Sequence, residues 1–242
     1  MVSREYRLKR VLDATLAGVG LMVAAPVWLL IATAIKLEDG GPVLYTQSRW
    51  GRHKKPFKVY KFRSMIADAD RKFGAVQAGE RDPRITRVGH LLRRTSLDEL
   101  PQLLNIFRGD MSWVGPRALP INERQVNEER HVPDDEVPGF DARCRVRPGL
   151  TGVAQIFAPR DVPRRQKFRY DAFYIARQSL RFDLALIAAS LWISLNLRWE
   201  ERGQKLGRAR RRRRRQLAAR PRVALRSDRV GSVLDPLAGM RS

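Results

Sequence analysis

The sequence is poor in the residues that make disulfides and zinc sites. Among 242 residues there are one cysteine, Cys144, and three histidines. A single cysteine excludes an internal disulfide and is typical of a protein that folds in a reducing compartment. His53, His90 and His131 are scattered, and no zinc-ligand spacing connects them to the cysteine. A metal ion in this protein would therefore be a hard ion such as Mg²⁺, held by carboxylates.

Acidic residues are also scarce, with 25 aspartates and glutamates against 48 lysines and arginines and a net charge of +23. An excess of this size predicts anionic partners such as anionic lipid or phosphorylated substrates. About half of the excess lies in residues 202–242, where residues 210–215 are consecutive arginines. We expect this Arg-rich tail to be disordered and to bind anionic membrane lipid. Because no aromatic residues interleave with its arginines, the tail predicts no specific nucleic-acid partner.

Charged side chains are absent from one long segment, the 22 residues 14–35. As an α-helix this segment would be about 33 Å long, enough to cross the core of a bilayer. Pro26 lies near its centre, where the missing N–H bends a helix. Basic residues flank the segment on both sides, so the positive-inside rule places both ends in the cytoplasm. They are Arg4, Arg7, Lys9 and Arg10 before it and Lys36, Arg49, Arg52, Lys54 and Lys55 after it. A re-entrant helix that bends at Pro26 and a spanning helix both fit these residues.

A second apolar stretch, residues 184–197, is too short to cross a bilayer and predicts a buried or interfacial helix. Residues 165–177, just before it, mix aromatic and basic side chains, which is typical of an amphipathic helix. Such a helix packs on the protein core or lies on the membrane surface, and the sequence leaves both interpretations open.

The rest of the chain predicts a mostly helical α+β protein. Two short β-prone segments, residues 43–47 and 57–62, are separated by a polar run and predict a small β-hairpin. Helices are expected at residues 66–76, 88–92 and 97–107. Residues 116–163 are rich in proline, and we expect loops with short helices there.

Asp98 and Glu99 are adjacent carboxylates at the start of a predicted helix, with arginines on both sides. Ser96 and Glu99 fit a capping box, which needs no catalytic role. Pro101 favours a different start, because a proline lacks the N–H that later helical positions require. With Asp98 as the N-cap, its carboxylate lies at the positive end of the helix dipole, and its pKa is expected to fall.

Two adjacent residues of a helix point about 100° apart, so Asp98 and Glu99 are not expected to share a proton. We expect a division of labour in which one carboxylate attacks and the other holds a metal ion. An aspartate can form an acyl phosphate with a phosphoryl substrate, and nearby cations then neutralise the transferring group.

The chain resembles the bacterial sugar transferases, a family of membrane-bound phosphoglycosyl transferases. The resemblance covers roughly residues 7–200 and rests on short motifs in the family's order. They are QSRWG at residues 47–51, KFRSM at 61–65, DPRITRVG at 82–89, RTSLDELPQL at 94–103, RGDMS at 108–112, GPR at 115–117 and RPGLTGVAQ at 147–155. The chain resembles the minimal catalytic form of the family.

The resemblance implies that Asp98 attacks the sugar-linked phosphate of a UDP-sugar and expels UMP, and that Glu99 binds Mg²⁺. The phospho-sugar would then pass to polyprenyl (undecaprenyl) phosphate, which initiates exopolysaccharide or other glycan assembly. The resemblance also implies a re-entrant membrane helix, broken near a proline, at the cytoplasmic face of the plasma membrane.

Cations and one amide in these motifs are the expected substrate-binding residues. They are Lys61, Arg63, Arg84, Arg117, Arg147 and Gln155. Arg117 follows a Gly-Pro turn, which suits fixed bidentate contact with phosphate. Lys61 and Arg63 lie in an apolar, strand-like segment, where a solvated charge is less natural. For each of these cations, a solvated surface charge is the alternative that the residues alone leave open.

We therefore expect a membrane-inserted helix at residues 1–38, a cytoplasmic catalytic domain at residues 39–201 and the tail at residues 202–242. The expected fold is α+β and mostly helical, with a re-entrant helix, a small β-hairpin and interfacial amphipathic helices. The alternative function is a non-catalytic, membrane-tethered protein that binds polyanions. Only the Arg-rich tail favours that alternative.

Overall fold

The structure is a computed structural model that describes residues 6, 8–67, 69, 82–121, 133–158 and 162–195. The predicted helix at residues 66–76 lies mostly outside the described residues. The predicted tail at residues 202–242 lies entirely outside them.

Within these ranges the chain is mostly helical and contains two small sheets. The helices are α1 Lys9–Asp39, α2 Arg87–Thr95, α3 Gln102–Arg108, α4 Phe140–Arg143, α5 Val153–Phe157, α6 Arg164–Arg177 and α7 Leu180–Leu195. The strands are β1 Leu44–Trp50, β2 Pro56–Phe62, β3 Ser112–Val114 and β4 Gly149–Thr151. Short 3₁₀ turns span Arg52–Lys54, Leu97–Glu99 and Asp134–Glu136. The expected mostly helical fold with small sheets is confirmed.

Strands β1 and β2 form the predicted hairpin. They pair antiparallel, with Leu44 opposite Phe62 and Trp50 opposite Pro56. The connecting turn closes with a hydrogen bond from the Gly51 N–H to the Lys55 carbonyl at 3.0 Å. Since Phe62 is buried at the end of β2, it holds that end of the strand against the core.

Strands β3 and β4 form a parallel pair that the sequence did not indicate. Ser112 lies opposite Gly149 and Val114 opposite Thr151. Parallel strands need a long connection, and here 34 residues separate the two strands in the chain. Three-residue strands this far apart leave no local pattern that a sequence reading can detect. The pair brings the GPR and RPGLTGVAQ motifs side by side.

Helix α1 is the predicted apolar helix and continues through Pro26. It is the one helix among the described residues that is long and apolar enough to cross a membrane. At 31 residues it is about 46 Å long. Seven of the nine side chains at residues 22–30 are exposed, whereas buried side chains recur toward both ends. The middle of α1 is therefore the part that the protein covers least.

Both ends of α1 pack against the rest of the described fold. Near its start, Ala17 joins a core with Val59, Leu103, Ile106 and Met111. Near its end, Ile31 and Ile35 join another core with Phe62 and Leu92. The two cores share β2, so the hairpin packs near both ends of α1, whereas α3 packs near its start.

Candidate active site

The chain between α2 and α3 makes a 3₁₀ turn that carries both carboxylates. Ser96 ends α2 in the left-handed region, with φ 60° and ψ 18°, and its side chain makes no capping hydrogen bond. The 3₁₀ turn Leu97–Glu99 follows, and α3 begins only at Gln102, with Pro101 as its N-cap. The predicted helix at residues 97–107 is therefore wrong at its start. The capping box and the Asp98 N-cap are both wrong as well.

Packing explains why the turn replaces a regular helix start. Leu97 and Leu100 both pack against the core that contains Ile31, Ile35 and Phe62. In a 3₁₀ turn, residues three apart lie above one another, so both leucines can face the same core. The carboxylates between them then point away from that core.

Lys61 joins the two carboxylates. Its Nζ donates to Glu99 Oε1 at 2.8 Å and lies 3.7 Å from Asp98 Oδ2. Arg117 Nη2 donates to the same Glu99 oxygen at 2.8 Å. The sequence predicts that the Asp98 and Glu99 side chains point about 100° apart. In the structure both carboxylates nevertheless lie near the same ammonium group, that of Lys61. The side chains of Lys61, Asp98 and Glu99 are mostly buried, whereas that of Arg117 is 47% exposed.

The surroundings shift the two carboxyl groups in opposite directions. Burial raises the pKa of Asp98; Lys61 opposes this effect and the negative charge of Glu99 adds to it. Burial alone would also raise the pKa of Glu99, but Arg117 and Lys61 outweigh it and hold that pKa below its usual value. The predicted fall in the pKa of Asp98 is therefore wrong, because the residue is buried and does not cap an α-helix. Asp98 is therefore the less stabilised anion of the two.

Arg63 and Arg84 make structural contacts away from the carboxylates. Arg63 forms an ion pair with Asp39 at the end of α1 and donates to the Pro42 carbonyl at 2.6 Å. Arg84 pairs with Asp82 at 2.6 Å. Both arginines are buried, so the alternative that each is a solvated surface charge is wrong. Of the predicted site residues, the structure brings together Lys61, Asp98, Glu99 and Arg117.

The β3–β4 sheet places the remaining candidates. Arg117 continues the parallel pairing by bridging to Gly149, whose N–H donates to the Pro116 carbonyl at 2.9 Å. A Cβ on Gly149 would lie 2.0 Å from the Gly115 nitrogen, so this approach requires glycine. Arg147 Nε donates to the Gly109 carbonyl at 3.0 Å, and Gln155 Nε2 donates to the Gly149 carbonyl at 3.4 Å. Gln155 therefore contacts the backbone of Gly149 beside Arg117, whereas Arg147 contacts the backbone at the end of α3.

A family model of bacterial sugar transferases matches residues 4–196 of the chain. The chain belongs to the bacterial sugar transferase family. It is therefore a transferase, and its family gives no support to the non-catalytic alternative.

Several named relatives have sequences that are about 40% identical to this chain or somewhat more. An exopolysaccharide production protein PSS of Rhizobium leguminosarum bv. phaseoli is 43% identical over 185 residues, which cover 74% of this chain and 91% of the relative. A putative undecaprenyl-phosphate N-acetylgalactosaminyl 1-phosphate transferase of Bacillus subtilis (strain 168) is 48% identical over 159 residues, covering 64% and 85%. A UDP-glucose:undecaprenyl-phosphate glucose-1-phosphate transferase of Escherichia coli (strain K12) is 42% identical, covering 74% of this chain but only 38% of the relative.

Three buried residues that lie close to this site were missed from the sequence. Asn105 is fully buried in α3; its side chain accepts from the Tyr60 N–H at 3.1 Å and donates to the Lys58 carbonyl at 2.7 Å. It thereby holds β2 on either side of Val59, close to Lys61 in the strand. Asn105 is a polar amide between apolar residues of α3, and this pattern in the sequence could have indicated a buried hydrogen-bonding role. Arg143 and Asp171 form a buried pair behind Arg117, and 28 positions separate them in the chain.

The oxygen ligands of the transferase site are compatible with Mg²⁺. Within the described ranges, no group of three or more histidine, cysteine, aspartate or glutamate side chains could hold a metal ion. Mg²⁺ needs fewer protein ligands, because it is commonly bound by one or two carboxylates together with substrate phosphates. Both cations contact Oε1 of Glu99, and among the described residues its Oε2 takes no hydrogen bond. That oxygen and the Asp98 carboxylate form a suitable donor set.

Proposed function

We propose that this transferase moves a sugar-1-phosphate from a UDP-sugar to undecaprenyl phosphate and releases UMP. The reaction would initiate exopolysaccharide or other glycan assembly. One observation carries the proposal: a mostly buried carboxylate, Asp98, lies beside a second carboxylate and two cations, Lys61 and Arg117. The names of the relatives agree with it, since several of them specify undecaprenyl phosphate as acceptor and two of the three described above specify the sugar-1-phosphate transferred.

Asp98 would form a covalent intermediate. One of its carboxylate oxygens attacks the sugar-linked phosphorus, the bridging P–O bond of the diphosphate breaks, and UMP leaves with the electron pair. An oxygen of undecaprenyl phosphate then attacks the same phosphorus and returns Asp98 to its carboxylate form. Asp98 is thus the nucleophile of the first step and the leaving group of the second, which divides one difficult transfer into two easier steps.

Lys61 and Arg117 would supply the positive charge that this transfer needs. Arg117 is the more exposed cation, and its planar guanidinium suits contact with the diphosphate. Lys61 contacts both carboxylates, and its positive charge opposes the effect of burial on the pKa of Asp98. Glu99 would hold Mg²⁺ through a carboxylate oxygen. When bound, the ion neutralises charge on the phosphoryl group.

Helix α1 would enter the cytoplasmic leaflet and return to the same face. Lys9 and Asp13 near its start contact α7 and β3, while Glu38 at its end accepts hydrogen bonds from the first N–H groups of α2. A helix that crossed the bilayer could not reach one cytoplasmic domain with both ends. The exposed apolar residues Leu191 and Trp192 of α7 suit an interfacial position.

The reaction is tested by incubating the full chain with UDP-sugars, Mg²⁺ and undecaprenyl phosphate. We expect UMP release that depends on the acceptor lipid for multiple turnovers and a lipid product that carries two phosphates and the sugar. A panel of UDP-sugars identifies the donor. No UMP release with any of the common UDP-sugars would overturn the proposed reaction.

The topology is tested by cysteine labelling in a Cys144→Ser background. We expect Leu8→Cys and Leu37→Cys to react with a membrane-impermeant maleimide from the cytoplasmic side only, because both residues are well exposed at the two ends of α1. Met22→Cys, 71% exposed in the middle of α1, is the matched control and should be protected from both sides. Labelling of the two ends from opposite sides would show a spanning helix.

A further inference from the structure

Arg117 depends on its backbone for its position. Its side chain is 47% exposed, so few neighbours restrict it along its length. The guanidinium nevertheless reaches Glu99 Oε1 at 2.8 Å. A long exposed side chain keeps one geometry at a cost in rotamer entropy, and that cost falls when the backbone beneath it is rigid.

Arg143 holds that backbone from the buried side. Its Nη2 donates to the Arg117 carbonyl at 2.5 Å. The same guanidinium donates through Nε to Asp171 Oδ2 at 3.0 Å and lies 4.5 Å from the centre of the Phe168 ring. Arg143 and Asp171 are only 6% and 3% exposed. The pair therefore connects α6, which carries Asp171 and Phe168, to the residue that contacts Glu99.

Stability alone is a poor reason for such a pair. Taking two charges out of water costs several kcal/mol per ion, and well-packed apolar residues of similar volume often serve a fold equally well. The distinctive feature here is the third contact. Asp171 orients the Arg143 fork through one nitrogen, and another nitrogen of the fork then fixes the carbonyl of Arg117.

We propose that Arg143 and Asp171 are positioning residues that hold Arg117 in place for Glu99 and for the diphosphate of the nucleotide sugar. This inference rests on the proposed function, because the role of Arg117 toward the diphosphate belongs to it. Neither positioning residue needs to touch substrate. Their whole effect on the reaction should pass through the Arg117 guanidinium.

A double-mutant cycle tests this dependence. In the wild-type background, we expect Asp171→Asn to lower kcat/KM for the UDP-sugar about tenfold, the scale on which supporting residues usually act. In an Arg117→Ala background, the same substitution should change kcat/KM less than about twofold, because the group that it positions is gone. Equal losses in both backgrounds would overturn the proposal.

The split between KM and kcat gives a readout that a purely structural role would not move. A loss of folded protein lowers the apparent kcat and leaves KM for the UDP-sugar unchanged. A displaced Arg117 should weaken the contact with the diphosphate, so Asp171→Asn should raise KM. Asp171→Glu keeps the charge and should return KM toward its wild-type value. An unchanged KM in Asp171→Asn would contradict the proposal.

The buried pair Arg164–Asp134 provides a matched control. Arg164 begins α6 and is 3% exposed, and its guanidinium pairs with Asp134. Asp134→Asn should lower the melting temperature without raising KM for the UDP-sugar. If Asp171→Asn proves unstable, Arg143→Lys serves as the second variant, since it keeps the charge but loses the fork that reaches Arg117. UMP release by the wild-type protein distinguishes a failure of the proposed function from a failure of the positioning role. If wild type releases no UMP, the proposed function is wrong. If it does, the double-mutant cycle tests only the positioning role of Arg143 and Asp171.

Discussion

Asp98→Asn is expected to lower UMP release at least about 1,000-fold, the scale on which removal of a nucleophile usually acts. The substitution keeps the shape of the side chain and removes the oxygen anion that would attack phosphorus. Because burial already disfavours the charged form of Asp98, the neutral amide should leave the melting temperature unchanged or raise it. A loss of activity without a loss of stability would identify a chemical role for this residue.

Glu99→Gln is the matched comparison for this prediction. With UDP-sugar labelled in the sugar and no acceptor lipid, wild type should accumulate a phospho-sugar adduct on the protein, and Asp98→Asn should not. Glu99→Gln should slow turnover but still form the adduct, because its carboxylate is proposed to bind Mg²⁺ rather than to attack. An adduct in Asp98→Asn, or substantial turnover by that variant, would rule out the covalent aspartate step.

Lys9→Met is expected to destabilise the protein by about 3–5 kcal/mol, the usual cost of removing one partner of a buried ion pair. Lys9 is 1% exposed, and its Nζ lies 2.5 Å from Asp183 Oδ2 and 3.1 Å from the Tyr174 hydroxyl. Without the ammonium, the 1% exposed carboxylate of Asp183 loses its cation. Thermal unfolding in detergent micelles measures the effect. The start of α1 should detach from α7 early in that transition.

Lys36→Met controls for the loss of a lysine from the same helix. Lys36 is exposed near the other end of α1, where its Nζ donates to the Gly40 carbonyl at 3.1 Å. Its substitution should change stability by no more than about 0.5 kcal/mol. Adding Asp183→Asn to Lys9→Met should recover part of the loss, since it removes the uncompensated charge. Equal effects of Lys9→Met and Lys36→Met would show that the buried pair does not hold α1 in place.

Lys9 shows a limit of what the sequence indicates. In the sequence it is one of the basic residues that flank the apolar segment and favour a cytoplasmic position for both of its ends. In the structure it is buried, and its partner Asp183 lies 174 positions away. Periodicity and composition describe neighbours in the chain, so they cannot reveal a pair this distant. The proposal for α1 therefore rests on a different observation, namely that both ends of the helix pack against the rest of the described fold.

The 3₁₀ turn Leu97–Glu99 shows that the same limit applies to residues that are close in the chain. Asp98 and Glu99 were predicted as the site, and Pro101 indicated that no regular helix starts at Ser96. The αL conformation of Ser96 and the 3₁₀ turn were not predicted, because they depend on packing of Leu97 and Leu100 against α1 and β2. The sign of the shift in the pKa of Asp98 was wrong for the same reason, since burial is a property of the folded chain.

Local residue patterns were sufficient for the elements whose information is local: the apolar α1, the β1–β2 hairpin, the mostly helical class and the motifs that mark the family. Tertiary structure alone decided which cations face the carboxylates. Lys61 and Arg117 reach Glu99, whereas Arg63 and Arg84 pair with aspartates elsewhere. The reason is physical: a motif specifies a side chain, but contacts between distant segments specify the direction in which it points. For Arg117 those contacts are a parallel strand pair and a buried arginine, and neither has a local signature.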